Sequence, residues 1–140
     1  MQRSGYSAYQ RIQTETSSSG ELISLLYDAL ARDVQRASAA MEREDGETTH
    51  GSLVHAQDVL LELVASLDLE RGELPQQLES VYQYMYRKLV DANVQKDPEP
   101  VHEVAALLGP IREAWAQAIR SEQGTPSRPS DGPRKVESRG

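Results

Sequence analysis

The sequence contains no cysteine and no phenylalanine, and it has a single tryptophan among its 140 residues. The absence of cysteine excludes disulfides, thiolate metal sites and cysteine nucleophiles. Apolar runs approaching the ~20 residues of a membrane-spanning helix are absent. The first residues also lack the apolar segment of a secretory signal peptide. We therefore expect a cytoplasmic protein that is not inserted in a membrane.

Basic residues are scarce relative to acidic ones. The chain has 15 Lys and Arg residues against 22 Asp and Glu residues, which gives a formal net charge of −7. Nucleic acids and anionic membrane surfaces are bound mainly through clustered Lys and Arg side chains. The charge balance therefore favours neither of these partners, and the length favours one domain.

Motifs that carry catalysis are also missing. The sequence contains no glycine-rich phosphate loop, no Gly-x-Ser-x-Gly turn and no His-Glu-x-x-His. Two Glu-x-x-His pairs, Glu47 with His50 and Glu99 with His102, have the spacing found in di-iron bundles. Both pairs stand at helix starts, where the helix dipole favours acidic residues, rather than inside helices. We predict no metal site, no cofactor and no enzymatic activity.

Apolar residues recur at spacings of three and four in four successive blocks between residues 20 and 120, a pattern typical of amphipathic helices. Ser18 and Glu21 form a capping box before the first block. Breaks follow at Gly46, at Gly72 and around Pro98. The apolar stripes include Leu22, Leu25, Leu26, Leu30, Val34, Leu53, Leu60, Leu63, Leu74, Leu78, Tyr82, Met85, Leu89, Val101, Val104 and Leu108.

Short connections between these blocks predict an all-α, antiparallel up-down four-helix bundle over residues 20–120. Gly109-Pro110 stands in the fourth block and predicts a kink or two short helices. Residues 121–140 are half Ser, Gly or Pro, so we expect a disordered tail. Residues 1–19 form a polar N-terminal segment.

Several large apolar residues lie beside the stripes that a four-helix core requires. They are Ile23, Tyr27, Val54, Leu61, Tyr84, Tyr86 and Val90. One interpretation places them at the rim, with the tyrosine hydroxyls in water. The other is an exposed apolar groove that takes an amphipathic partner helix. The pattern alone favours neither interpretation.

A set of short motifs spread over residues 6–115 resembles the FliS family of flagellar secretion chaperones. Their order and spacing carry the resemblance, since no single motif is specific. The motifs include Tyr6-x-x-Tyr9, Ser18-Ser19-Gly20-Glu21-Leu22, Leu25-Leu26-Tyr27-Asp28, Leu78-x-x-x-Tyr82-x-Tyr84-Met85 and Ala114-Trp115.

The resemblance implies a helical bundle that binds the C-terminal segment of flagellin, which is disordered before assembly. Such binding keeps flagellin from polymerising in the cytoplasm and delivers it to an export-gate component of the flagellar type III secretion apparatus. The resemblance also implies that the N-terminal segment is a cap over part of the groove. The cap residues are then Tyr6, Tyr9 and Ile12.

Three positions depart from the family pattern. Ser19 stands where the family usually has Pro, and Pro75 stands where Ala is usual. Gly109-Pro110 lies outside the pattern and bears on the straightness of the fourth helix. A helical adaptor or regulator that binds another protein through the same groove is the alternative function.

Overall fold

A computed structural model describes residues 19–124, with side chains described for residues 20–121. Four helices account for most of this range: α1 (Ser19–Glu42), α2 (Gly46–Ala65), α3 (Glu73–Gln95) and α4 (Pro98–Gly124). A 3₁₀ turn, Leu69–Arg71, stands between α2 and α3. The predicted all-α class is confirmed, and residues 19–124 contain no strand. Residues 121–124, which the sequence assigned to the disordered tail, form the last turn of α4 instead. The predicted cap residues and residues 125–140 lie outside the described residues.

The four helices form a ring in which each helix packs against two neighbours. Helix α1 lies against α2 and α4, and α3 also lies against α2 and α4. Ser24 of α1 bonds to Trp115 of α4, whereas Ser38 of α1 bonds to His102. The later residue of α1 thus pairs with the earlier residue of α4, so the two helices are antiparallel. The predicted up-down bundle is therefore confirmed.

The core is built from the predicted apolar stripes. Its largest side chains with less than 2 % exposure are Tyr82, Leu30, Leu53, Leu60, Leu63, Met85, Leu89, Val101 and Val104. Two predicted stripe residues are at the surface instead, Leu25 at 50 % and Leu74 at 64 % exposure. Successive side chains of a helix point about 100° apart. Leu25 therefore points away from the buried side of α1 that carries Leu26 and Leu30.

Two buried tyrosines join opposite helices of the ring. The hydroxyl groups of Tyr27 in α1 and Tyr82 in α3 are 2.5 Å apart, and their ring centroids are 6.5 Å apart. Burial raises the pKa of both phenols, so both hydroxyls are protonated at neutral pH. Each phenol thus gives the other the partner that a buried hydroxyl requires.

A buried carboxylate joins α1 to α2. The side chain of Asp33 is 4 % exposed and forms a hydrogen bond with Nδ1 of His55. The guanidinium of Arg36 lies 3.7 Å from the other carboxylate oxygen of Asp33. These contacts give Asp33 the polar partners without which burying a charged group would be costly.

Helix α2 begins at Gly46 because Asp45 caps it. Oδ1 of Asp45 accepts a hydrogen bond from the backbone N–H of Thr48 at 3.1 Å. The hydroxyl of Thr49 donates to the carbonyl of Asp45 at 2.8 Å. Asp is among the preferred N-cap residues, so these bonds fix the helix start.

Helix α4 corrects two further expectations. It begins at Pro98, where the sequence predicted a turn; proline is favourable in a first turn because its missing N–H has no helical partner there. The helix also continues through Gly109 and Pro110, so the prediction of two short helices is wrong. Apolar residues before and after Pro110, such as Leu108 and Ile111, pack against the same core. These contacts hold the helix together despite the proline.

The cap at Asp45 gives a pH-dependent prediction. Hydrogen bonds from the side chain and backbone of Thr48 hold the pKa of Asp45 below its ordinary value of 3.8. The stability contributed by the charged cap is therefore present above that value and is lost as the pH falls through the folded-state pKa. Asp45→Ala should lower the thermal midpoint near neutral pH by an amount that shrinks on acidification.

Thermal unfolding followed by circular dichroism from about pH 7 to about pH 2 checks this prediction. Asp45→Ser is the control, because serine keeps a cap acceptor that does not ionise. A midpoint difference between wild type and Asp45→Ala that stays constant over the whole range would contradict the role of the charge.

Candidate protein-binding groove

A hydrogen bond between the side chains of His50 and Asn93 sets the register of α2 against α3. Nδ1 of His50 lies 2.9 Å from Nδ2 of Asn93. Val54 is one helical turn after His50, and Val90 is nearly one turn before Asn93. Because the two helices run antiparallel, the two valines lie at the same level on facing sides of the helix pair.

Further apolar residues continue along the same two helix sides. Leu61 follows Val54 by seven residues, and Tyr86 and Val94 flank Val90 by four residues on either side. Spacings of four and seven keep side chains on one helix face. We call the surface formed by Val54, Leu61, Tyr86, Val90 and Val94 the α2–α3 groove.

The α2–α3 groove is accessible to a partner. Val54 is 36 %, Leu61 47 % and Val94 75 % exposed, while Tyr86 and Val90 are half-buried. Exposed apolar side chains that repeat along the facing sides of two neighbouring helices are typical of binding surfaces, unlike the same residues scattered singly. The groove is therefore the principal candidate for a protein-binding site.

The structure brings four of the seven sequence-predicted binding residues together in this groove: Val54, Leu61, Tyr86 and Val90. The other three lie elsewhere. Ile23 is half-buried and packs against the core. Tyr27 is 3 % exposed and belongs to the core. Tyr84 is half-buried on the side of α3 that faces α4, where it bonds to Glu103. These three side chains do not contribute to the α2–α3 groove.

Tyr84 belongs to a charged cluster that joins α3 to α4. Its hydroxyl donates a hydrogen bond to the Glu103 carboxylate, which raises the pKa of Tyr84 and lowers the pKa of Glu103. The Lys88 ammonium lies 3.4 Å from Glu103 and 5.3 Å from the Tyr84 ring centroid. The bond to Glu103 raises the pKa of Lys88. The cluster fixes Tyr84 along the surface instead of presenting it to an apolar ligand.

A polar depression of about 650 Å³ lies where α3 ends and α4 begins. It is lined by Lys88, Asp91, Gln95, Asp97, Glu99, Pro100, His102 and Glu103. Among the residues that the structure describes, no three His, Asp or Glu side chains are grouped to hold a metal ion. The depression is therefore distinct in character from the apolar groove.

The histidines of the two Glu-x-x-His pairs bond to different helices. His50 pairs with Asn93 of α3, and Nε2 of His102 lies 3.5 Å from the Ser38 hydroxyl of α1. Both histidines therefore take part in contacts between helices on separate sides of the bundle.

Sequence reasoning missed one member of the groove. Val94 is the most exposed large apolar residue that the structure describes, and it repeats the four-residue spacing of Tyr86 and Val90. That spacing was a usable signal, because it continues one side of α3 beyond the core stripe.

None of the helices between residues 19 and 124 is long and apolar enough to cross a membrane. A helical bundle with an exposed apolar groove between two of its helices is typical of proteins that bind amphipathic segments of other proteins. The fold and the groove thus define the class as a four-helix bundle with a candidate protein-binding groove.

Comparison with known proteins identifies the family. The family model described as "Flagellar protein FliS" matches residues 1–122. The chain therefore belongs to the FliS family of flagellar proteins, and the resemblance found in the sequence is confirmed.

Individual relatives agree with this assignment. The chain is 36 % identical over 118 residues to the flagellar secretion chaperone FliS of Bacillus subtilis, covering 84 % of this chain and 88 % of the relative. It is 34 % identical over 120 residues to that of Salmonella typhimurium, covering 81 % and 89 %. The Escherichia coli protein of the same name is 34 % identical over 123 residues, covering 84 % and 90 %. These relatives are named as chaperones, and family membership supports a chaperone role in flagellar export.

Proposed function

We propose that this protein is a cytoplasmic export chaperone that binds the C-terminal segment of flagellin. The observation that carries the proposal is the exposed α2–α3 groove in a member of the FliS family. A groove between two helices accepts the apolar face of an amphipathic helix through residues spaced by three, four and seven.

The dimensions of the groove fit a helix of a few turns. The bond between His50 and Asn93 places Val94 of α3 opposite the first turns of α2, about twelve residues before Leu61. At 1.5 Å per residue, this length is about 18 Å. A segment that folds on binding loses several kcal/mol of ordering free energy, so it needs more contact area than this groove alone. We therefore propose an extended interface in which the flagellin segment continues onto neighbouring faces of the bundle.

Binding of this kind blocks polymerisation by occupying the apolar surface that flagellin needs for assembly. The complex then delivers flagellin to an export-gate component of the flagellar type III secretion apparatus. The chaperone acts by binding and release, without a chemical step or a cofactor.

A sedimentation assay tests this function. Purified flagellin is induced to polymerise with and without an equimolar amount of the chain, and the pelleted polymer is measured. We expect the chain to keep most of the flagellin in the supernatant. An equimolar amount of a flagellin truncated at its C-terminus, added as a competitor, should not relieve the inhibition. Unchanged polymer formation in the presence of the folded chain would contradict the proposal.

We further propose that the N-terminal segment covers part of the groove when no ligand is bound. Tyr6, Tyr9 and Ile12 follow one another at intervals of three, so a helical turn would place them on one side. These residues lie outside the described part of the chain, and the proposal rests on their spacing and on the family resemblance.

The cap gives a prediction about self-association. Tyr9→Ala should make the ligand-free protein associate more readily, because it uncovers apolar groove surface. Size-exclusion chromatography at several protein concentrations measures the shift to larger species. Tyr9→Phe is the control, since it keeps the ring and should elute with the wild type. Identical elution of Tyr9→Ala and wild type at every concentration would count against a capping role.

A further inference from the structure

Helix α4 is anchored differently on the two sides of Gly109-Pro110. On the N-terminal side, Val101 and Val104 are fully buried and Leu108 is 3 % exposed. On the C-terminal side, none of the described side chains up to residue 121 is buried, and Ile111 and Trp115 are half-buried. The helix therefore has a firmly packed first half and a lightly packed second half.

The backbone is weakest at the boundary between these halves. Pro110 has no N–H, so the carbonyl of Ala106, one turn earlier, loses its helical partner, and the proline ring crowds that carbonyl. Gly109 adds conformational freedom that other residues lack. Both residues are exposed, and a Cβ added at Gly109 would meet nothing within 4 Å. Neither residue is therefore required by the packing of the bundle.

The contacts between the second half of α4 and α1 include a hydrogen bond, a ring contact and an ion pair. Nε1 of Trp115 donates to the Ser24 hydroxyl at 2.9 Å, and the Trp115 ring meets the edge of Tyr27 at a centroid distance of 6.2 Å. Arg112 forms an ion pair with Asp28 at 2.5 Å, but both side chains are more than 40 % exposed. Exposed ion pairs contribute little to stability.

We propose that Gly109-Pro110 is a hinge about which the second half of α4, residues 111–121, detaches from α1 as a unit. The rest of the bundle stays folded during this opening, because its buried core includes no side chain of that segment. Opening uncovers the side of α1 that carries Ser24 and Tyr27.

The opening gives the bundle a second apolar surface that is closed in the resting state. The Tyr27 ring, which Trp115 contacts in the closed state, then becomes accessible on a different part of the bundle from the α2–α3 groove. The hinge itself does not depend on the identity of any ligand, so it stands or falls independently of the proposed function.

Hydrogen exchange of the full chain, read by mass spectrometry of peptides, tests the hinge. We expect amides of residues 111–121 to exchange at one shared rate, at least about tenfold faster than those of residues 101–108. Ordinary fraying would instead give rates that rise gradually toward Gly124. A gradual rise, or equal protection of the two halves, would overturn the proposal.

Pro110→Ala provides the matched variant, since it restores the N–H that donates to the Ala106 carbonyl, and the position is exposed. It should slow exchange of residues 111–121 several-fold and leave residues 101–108 unchanged. Pro98→Ala replaces an exposed proline in the first turn, where no helical bond is lost, and should change neither segment.

Acrylamide quenching of Trp115, the sole tryptophan, should fall in Pro110→Ala. Unchanged exchange and unchanged quenching in Pro110→Ala would overturn the hinge.

Discussion

Leu61→Asp is expected to weaken binding of the flagellin C-terminal segment by about 30-fold or more. The change puts a carboxylate on the apolar surface of the α2–α3 groove, where a bound helix would remove it from water without a partner. An interface residue that is fully removed from water on binding contributes about 2 kcal/mol or more, which corresponds to that loss of affinity. Leu61 is 47 % exposed in the free protein, so the fold should be retained.

Leu25→Asp is the matched control for this prediction. Leu25 is also a leucine, it is 50 % exposed, and it lies on α1 outside the α2–α3 groove. Affinity measured by calorimetry should stay within about twofold of the wild type, and circular dichroism should show equal helix content in both variants. Equal affinity of the Leu61→Asp and Leu25→Asp variants would contradict the assignment of the groove.

Leu30→Ala is expected to lower the free energy of unfolding by about 3–4 kcal/mol. Leu30 is fully buried in the middle of α1 and belongs to the single core cluster of the four helices. Its truncation removes apolar contacts and leaves a cavity that the surrounding helices fill incompletely. Urea unfolding followed by circular dichroism measures the change as a lower midpoint with an unchanged slope.

The control for Leu30→Ala is the same substitution at Leu25. Leu25 lies on the same helix and is half exposed, so its truncation should lower the free energy of unfolding by less than about 1 kcal/mol. The two variants lose the same atoms and differ in burial. Similar losses of stability in both variants would show that the core of the bundle is elsewhere.

The sequence was sufficient to predict the helices because their apolar residues follow the helical period over whole blocks. Leu30, Leu63 and Leu89 lie on these stripes, and all three are fully buried. The start of α2 was less predictable. It depends on the bond between Asp45 and the Thr48 backbone, and several polar residues near Gly46 could have served as the cap.

The groove was predicted in part. Val54, Leu61, Tyr86 and Val90 were identified because they lie beside the core stripes of α2 and α3. The periodicity of one helix does not say which neighbour an off-stripe residue faces, and the register between α2 and α3 depends on packing. Apolar residues on different sides of the bundle therefore entered one predicted set.

Tyr27 illustrates what helical periodicity cannot supply. It lies beside the stripe of α1, and the sequence offered no sign that its hydroxyl would find a buried partner. That partner, Tyr82, is 55 residues away in the chain. Long-range pairs of this kind follow from how the helices are arranged, which a single helix does not encode.

Pro110 shows the opposite limit, in which a local signal is overridden by packing. Proline inside a helix costs about 3 kcal/mol relative to alanine, and this favoured a break in the fourth block. The apolar residues on both sides of it pack against one core, so α4 continues through the proline. The local penalty remains in the structure as a weak point of that helix.

The central claim is that the bundle binds the C-terminal segment of flagellin along the α2–α3 groove. Isothermal titration of the full chain with a peptide of that segment, at several temperatures, tests it most directly. We predict one-to-one binding with a dissociation constant of micromolar or below and a negative heat-capacity change, because apolar surface is buried on binding. Absence of binding by the folded protein at micromolar concentrations would contradict the claim.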